Sequence, residues 1–107
     1  MKIIEIYRTE TGRAPFSEWM NSLKDRAIKQ QLKTRLARLE ENHFGDYKSV
    51  GEGVFELRIF CGPGFRIYFA KHGQFIVLLL CGGDKNTQTR DIQKAKTYWE
   101  DFKENIS

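Results

Sequence analysis

The stretch VFELRIFCGPGFRIYFAKHGQFIVLLLCGGD, residues 54–84, decides the fold because its apolar residues recur with a period of two. In its VFELRIF segment, apolar side chains alternate with Glu56 and Arg58. In its FRIYF segment, they alternate with Arg66 and Tyr68. This alternation predicts two strands, each with one buried face.

Two glycine-containing turns separate these strands from each other and from a third one. Residues 62–64, Gly-Pro-Gly, predict a reversal of the chain, and residues 71–74 predict a tight hairpin because Gly73 permits a positive φ. Residues 75–81 form an unbroken apolar run, which predicts a strand that is buried on both faces and central in its sheet. The sequence therefore predicts an antiparallel three-strand meander.

The rest of the chain predicts one more strand and three helices. The strand lies at residues 3–7, and the helices lie at about 15–22, at about 25–42 and from about 87 onward. The order β-α-α-β-β-β-α is typical of an α+β fold, here a single domain over residues 1–107 with an antiparallel sheet packed against helices. We expect one sheet face to meet solvent and to carry the polar residues of the alternation.

Composition excludes several classes of protein. The chain has 107 residues, of which 40% are hydrophobic and 30% charged, so it is neither disordered nor fibrous. Its longest apolar run has seven residues, too few to span a bilayer, and the N-terminus has no signal pattern. We therefore expect a cytoplasmic protein without membrane association, in which Cys61 and Cys81 stay reduced.

The net charge of +4 is concentrated in the second predicted helix. Residues 24–40 carry six positive and two negative charges. Its candidate RNA-binding residues are Arg26, Lys29, Lys33, Arg35 and Arg38. Such a stripe can follow a phosphate backbone without reading sequence. The alternative is an ordinary solvated helix face.

A second group of cations belongs to the meander. Arg58 and Arg66 are expected to face each other on adjacent strands, and Lys85 follows the third strand. Together with the phenol of Tyr68, they suit a phosphodiester and the charge that builds on its oxygens during transfer. This chemistry requires no metal or cofactor, and the alternative is a Glu-Arg surface ladder around Glu56.

Five segments resemble the addiction-module killer proteins, which form the HigB-like branch of the RelE/ParE toxin superfamily. The resemblance runs from about Ile4 to Trp99. Its segments are LKTRLARL (32–39), GDYK (45–48), GVFELRI (53–59), GPGFRIYF (62–69) and LLCGGDK (79–85). The combination of the last two is quite specific.

This resemblance implies a RelE-like fold and the toxin of a type II toxin-antitoxin module. Such toxins are neutralised by a small helix-turn-helix antitoxin. They enter the A site of the 30S ribosomal subunit and cut mRNA without a metal, which stops translation. By resemblance Arg66 is the catalytic arginine, and Arg58 and Lys85 are further cationic catalytic residues. Tyr68 would orient the RNA.

The resemblance leaves the general base and the activity open. The C-terminal tyrosine of RelE-type enzymes has no clear counterpart, since Tyr98 lies in a helix-like segment. His43 and His72 do not lie in matching motifs and are expected to be structural. ParE-like members share the fold but inhibit gyrase without nuclease activity, so that function is the alternative.

Overall fold

The computed structural model describes residues 1–106, which form a mixed α/β fold. Its strands are β1 (Ile3–Ile6), β2 (Tyr47–Gly51), β3 (Val54–Ile59), β4 (Phe65–His72) and β5 (Ile76–Asp84). Its helices are α1 (Pro15–Ser22), α2 (Arg26–Glu40) and α3 (Gln88–Asn105). A 3₁₀ turn, Lys85–Thr87, joins β5 to α3.

The five strands form one sheet in the order β1-β5-β4-β3-β2. Strands β3, β4 and β5 form the antiparallel meander that the alternation predicts, and β5 is an inner strand rather than an edge strand, as its apolar run predicts. Strand β1 pairs with β5 in parallel, with Ile3 opposite Ile76. The expectation of a wholly antiparallel sheet is therefore wrong, and the sheet is mixed. Residues 7–75 separate the two strands, so no tight turn forces them to run in opposite directions.

Strand β2 was not expected from the sequence. It pairs antiparallel with β3 at the edge of the sheet, and four of its five residues are exposed. An edge strand with little burial has no need of alternating apolar residues. The sequence of β2 accordingly lacks the apolar alternation that predicts a strand, since it contains Lys48, Ser49 and Gly51.

Helices cover both faces of the sheet. Helices α1 and α2 pack on one face, where the core residues are Phe16, Met20, Leu32, Leu39, Leu57, Ile59, Phe65, Ile67, Phe69, Val77 and Leu79. Helix α3 packs on the other face, where they are Tyr7, Val54, Tyr68, Ala70, Leu78, Leu80, Cys81, Ala95 and Trp99. The face that was expected to meet solvent is thus largely covered by α3. None of the helices in residues 1–106 has the length and apolar character needed to cross a bilayer.

Two consecutive glycines allow helices to approach β5 from opposite sides. A Cβ atom at Gly82 would overlap the ring of Trp19 on α1. A Cβ atom at Gly83 would overlap the carboxylate of Asp91 on α3. The Gly-Gly pair therefore determines how closely both helical layers pack against the end of β5, just before Lys85.

Candidate functional site

Three cationic side chains surround one small pocket at the end of the sheet. Arg58, Arg66 and Lys85 line a pocket of about 160 Å³. Its remaining wall is formed by Ile59, Phe60, Gly64 and Phe65. The structure thus brings together the three cations that the sequence predicts to converge.

Strand register explains this convergence. Arg58 on β3 is the direct partner of Arg66 on β4, as the alternation predicts. Arg66 in turn lies opposite Gly83 on β5. Strand β5 ends one residue later, at Asp84, so Lys85 leaves the sheet beside the two arginines. Two neighbouring strands and the turn after a third therefore each contribute one cation at the same end of the sheet.

Arg66 is the most enclosed of the three, with a side chain that is 12% exposed. Its Nη1 donates a hydrogen bond of 2.9 Å to the carbonyl oxygen of Gly64. Its Nε lies 3.6 Å from Oε2 of Glu56. These two contacts hold the guanidinium group at the wall of the pocket.

Arg58 is more open, with a side chain that is 32% exposed. Its Nε lies 3.6 Å from Oδ2 of Asp46 in the loop before β2. Directly opposed like charges repel across a ladder. Because Asp46 lies beside Arg58 and Glu56 lies beside Arg66, each arginine has a carboxylate that offsets this repulsion.

Among the three cations, Lys85 has the least charge compensation from neighbouring carboxylates. It is exposed and forms no ion pair within the described chain of 106 residues. The Asp84 carboxylate accepts a hydrogen bond from the backbone amide of Asn86, which fixes the turn after β5. A rigid turn therefore presents a solvated ammonium group to the pocket.

Glu56 forms a buried polar network behind the arginines. Its side chain is fully buried, and Oε2 accepts hydrogen bonds from the Tyr68 hydroxyl at 3.0 Å and from Gln88 Nε2 at 2.7 Å. Its other oxygen, Oε1, is buried without a hydrogen-bond donor within residues 1–106. Glu56 thereby connects β3, β4 and the first residue of α3, and it contacts both Gln88 of α3 and Arg66.

Tyr68 does not belong to the exposed surface, which corrects the expectation that it orients RNA. Its side chain is fully buried beneath α3. Burial, together with the neighbouring Glu56 carboxylate, raises the pKa of the Tyr68 hydroxyl far above its ordinary value. Alternation assigned Tyr68 to the correct face, but the face is covered, so its hydroxyl supports Glu56 instead.

Arg35 also differs from its expected role. Its guanidinium donates hydrogen bonds to the carbonyl oxygens of Arg58 at 2.7 Å and Phe44 at 3.1 Å. Burial lowers its pKa from the ordinary value. These bonds clamp α2 to the end of β3 and to the loop between α2 and β2. Arg35 is therefore a structural residue rather than a free phosphate contact.

The other basic residues of α2 remain on the surface, apart from the pocket. Arg26, Lys33 and Arg38 are exposed, and Lys29 is half-buried. Arg38 lines a neighbouring groove of about 510 Å³ together with Ile59 and Phe60 of the β3 end. The stripe is thus separate from the pocket, and of these four residues Arg38 alone lines the groove.

Three residues at the site were missed in the sequence. Gln88 lies in no motif, and Asp46 lies in the GDYK segment, where no role was assigned to it. Long-range packing places them beside Glu56 and Arg58. Phe60 did carry a signal. It is an aromatic residue at a position where the alternation calls for a polar side chain, directly before the Gly-Pro-Gly turn.

The histidines and cysteines lie outside the pocket. His72 packs edge-on against the ring of Phe102, at 5.3 Å between centroids. Burial raises the pKa of the Cys81 thiol to about 12. Among residues 1–106, no three His, Cys, Asp or Glu side chains are grouped closely enough to hold a metal ion.

The chain is similar to a known bacterial protein. No model of a protein family matches the chain. An uncharacterized protein of Haemophilus influenzae is 47% identical over 81 residues, which make up 76% of this chain and 82% of that protein. The two chains therefore share most of their length.

Proposed function

We infer that this chain, which belongs to the same family as the Haemophilus influenzae protein, is a toxin that cleaves messenger RNA on the ribosome. The observation that carries this proposal is the convergence of Arg58, Arg66 and Lys85 on one open pocket. The killer-protein resemblance of the GPGFRIYF and LLCGGDK segments supports it, because both segments contribute a cation to that pocket.

The pocket suits the reaction in size and in charge. At about 160 Å³, it has room for one phosphate group with its ester oxygens. Arg58 and Arg66 would bind the two non-bridging oxygens, since a planar guanidinium group can donate two parallel hydrogen bonds to the oxygens of a phosphate. Their hydrogen bonds strengthen as negative charge builds on these oxygens in the transition state.

The proposed reaction is an attack by the ribose 2′-oxygen on the adjacent phosphorus. The new phosphorus–oxygen bond forms a 2′,3′-cyclic phosphate, and the bond to the 5′-oxygen of the next nucleotide breaks. Lys85 stabilises the charge that develops on that leaving oxygen. The three cations supply the positive charge for which many nucleases use a metal ion.

The proton acceptor for the 2′-hydroxyl is not among the residues of the pocket wall. Arginine, lysine, glycine and apolar residues form that wall, and Glu56 lies buried behind Arg66. A toxin that reacts only on the ribosome fits this composition, because mRNA and ribosomal RNA then bring the remaining groups to the site. The basic residues of α2 would contact ribosomal RNA.

The proposed module has further components. The toxin acts in the cytoplasm and is held inactive by a small helix-turn-helix antitoxin. This part of the proposal derives from the resemblance to killer proteins. It predicts a reading frame for such an antitoxin beside the gene of this chain.

Induction in cells tests the proposed function. The wild-type chain is compared with Arg66→Ala and with the control Arg8→Ala, an exposed arginine outside the pocket. We expect translation to stop and transcripts to be cut within coding regions, with the rate of cutting reduced about a hundredfold by Arg66→Ala only. DNA breaks with intact mRNA would instead support a gyrase inhibitor of the ParE type. Growth without arrest would exclude a toxin of either type.

A further inference from the structure

Phe60 is a large apolar side chain left in solvent at the edge of the cationic pocket. It is 78% exposed, although the two residues before it, Arg58 and Ile59, are half-buried and buried. No aromatic ring of the described residues stacks against it. The ring therefore contributes little to the core, and its exposure needs another explanation.

The turn after Phe60 fixes where the ring stands. The amide of Cys61 donates to the carbonyl oxygen of Ile59 at 3.1 Å, and the amide of Gly64 donates to that of Cys61 at 3.0 Å. Gly62 has a φ of 53° and Gly64 a φ of 81°, both in the left-handed region. Because the hydrogen bonds constrain this backbone, Phe60 is presented at a defined position rather than on a loose loop.

Phe60 lies between the cationic pocket and the groove beside α2. It lines the pocket of Arg58, Arg66 and Lys85 on one side, and it lines the groove that contains Arg38 on the other. A chain that placed a phosphate in the pocket and continued into the groove would pass over the ring. Phosphates and aromatic bases alternate along a nucleic acid strand. The protein surface has a matching order, with the pocket cations first, then the ring of Phe60, then Arg38.

We propose that Phe60 is a stacking platform for one base of single-stranded RNA, adjacent to the nucleotide whose phosphate enters the cationic pocket. The proposal rests on the proposed function, and it adds the form in which the substrate is bound. Only an unpaired base exposes its face to a side chain, so duplex RNA is excluded as a ligand at this position. Stacking on a phenyl ring tolerates every base, so Phe60 contributes affinity rather than sequence preference.

Binding of a non-cleavable oligonucleotide tests this proposal. The probe is a short RNA with 2′-O-methyl riboses and one 2-aminopurine, whose fluorescence falls when the base stacks. The wild-type protein is compared with Phe60→Leu and Phe60→Trp. The matched control is Phe75→Leu, since Phe75 is also highly exposed, at 60%, but lies in the turn at the opposite end of the sheet.

We expect Phe60→Leu to weaken binding about tenfold and to abolish the loss of 2-aminopurine fluorescence. Phe60→Trp should retain both, because indole offers a larger stacking surface, and Phe75→Leu should behave like the wild type. Equal affinities for Phe60→Leu and Phe75→Leu, or a wild-type protein that binds no oligonucleotide, would overturn the proposal. Loss of binding to a protein partner by Phe60→Leu, with RNA affinity unchanged, would assign the ring to a protein interface and also overturn it.

This experiment can fail independently of the proposed function. Transcript cutting that depends on Arg66 but is equal for Phe60→Leu and Phe75→Leu would refute the stacking platform and leave the nuclease in place. Stacking of the probe on Phe60, without cutting of transcripts in cells, would refute the nuclease and identify an RNA-binding module instead.

Discussion

The carboxylate of Glu56 and the guanidinium of Arg66 lie on neighbouring strands, 3.6 Å apart, in a part of the fold where the carboxylate is fully buried. A buried charge without a partner is strongly destabilising, whereas a neutral pair of similar shape is tolerated. The position of Arg66 in the pocket wall therefore depends on its ion pair with a carboxylate in the core.

We expect Arg66→Met to lower the free energy of unfolding by about 3 kcal/mol, because it leaves Glu56 buried and unpaired. The double variant Glu56→Gln/Arg66→Met should recover at least half of this loss. Urea denaturation of the two single variants and the double variant measures the coupling. Additive effects would show that the pair has no role in stability.

Lys85 offers an activity test without an effect on folding. Because it is exposed and outside the core, Lys85→Ala should leave the free energy of unfolding within about 0.5 kcal/mol of the wild type. Under the proposed function, it should slow transcript cutting about a hundredfold, since one stabilising charge at the leaving oxygen is lost. Lys94→Ala, an exposed lysine on α3 outside the pocket wall, is the matched control. Equal cutting by both variants would remove Lys85 from the mechanism.

Tyr68 predicts a pH dependence of stability on the alkaline side. Its pKa is raised in the folded protein, so the unfolded chain loses the phenolic proton first, near pH 10. The contribution of Tyr68 is therefore complete below about pH 10 and falls above it, by up to about 1.4 kcal/mol per pH unit. The stability difference between the wild type and Tyr68→Phe should stay constant below about pH 10 and shrink between about pH 10 and about pH 11. A constant difference would mean that the hydroxyl ionises equally in both states.

Arg35 and Arg38 lie on the same helix, but Arg35 has a structural role and Arg38 lies on the surface. Arg35→Lys should lower the free energy of unfolding by about 2 kcal/mol, because an ammonium group cannot bond both carbonyl oxygens in the same geometry. Arg38→Lys should change it by less than about 0.5 kcal/mol. Thermal or urea denaturation distinguishes the two. Similar losses for both variants would contradict the clamp between α2 and β3.

Gly83 provides a test of the close approach between β5 and α3. Gly83→Ala should lower the free energy of unfolding by about 3 kcal/mol, because the new methyl group overlaps the Asp91 carboxylate. Addition of Asp91→Ala should restore part of the loss. Gly73→Ala, whose Cβ would meet no atom, should show only the milder strain of a positive φ. If Gly73→Ala is the more harmful of the two, the packing explanation is wrong.

Alternation in the sequence was sufficient to predict the meander and the facing of Arg58 and Arg66. A period of two determines which residues share a face, and the short turn at residues 62–64 determines which residues lie opposite one another. It could not predict what covers the face. That depends on α3, whose packing residues Ala95 and Trp99 lie far along the chain from Tyr68.

The missed elements have a similar cause. Strand β2 and the bond from Gln88 to Glu56 depend on contacts between segments that carry no pattern of their own. The direction of β1 was also hidden, because a strand pairs equally well by composition in either direction. Local patterns therefore predict the strands that carry the site. The buried hydrogen bonds around Glu56 depend on long-range packing and are not predictable from such patterns.

The pairing of β1 with β5 has a consequence for folding during synthesis. Ile3 pairs with Ile76, which lies far later in the sequence, so β1 is synthesised well before its partner strand. At typical rates of synthesis, the nascent first strand waits for several seconds without its neighbour. Completion of the sheet, and with it of the pocket beside Lys85, is thus postponed until β5 has been synthesised.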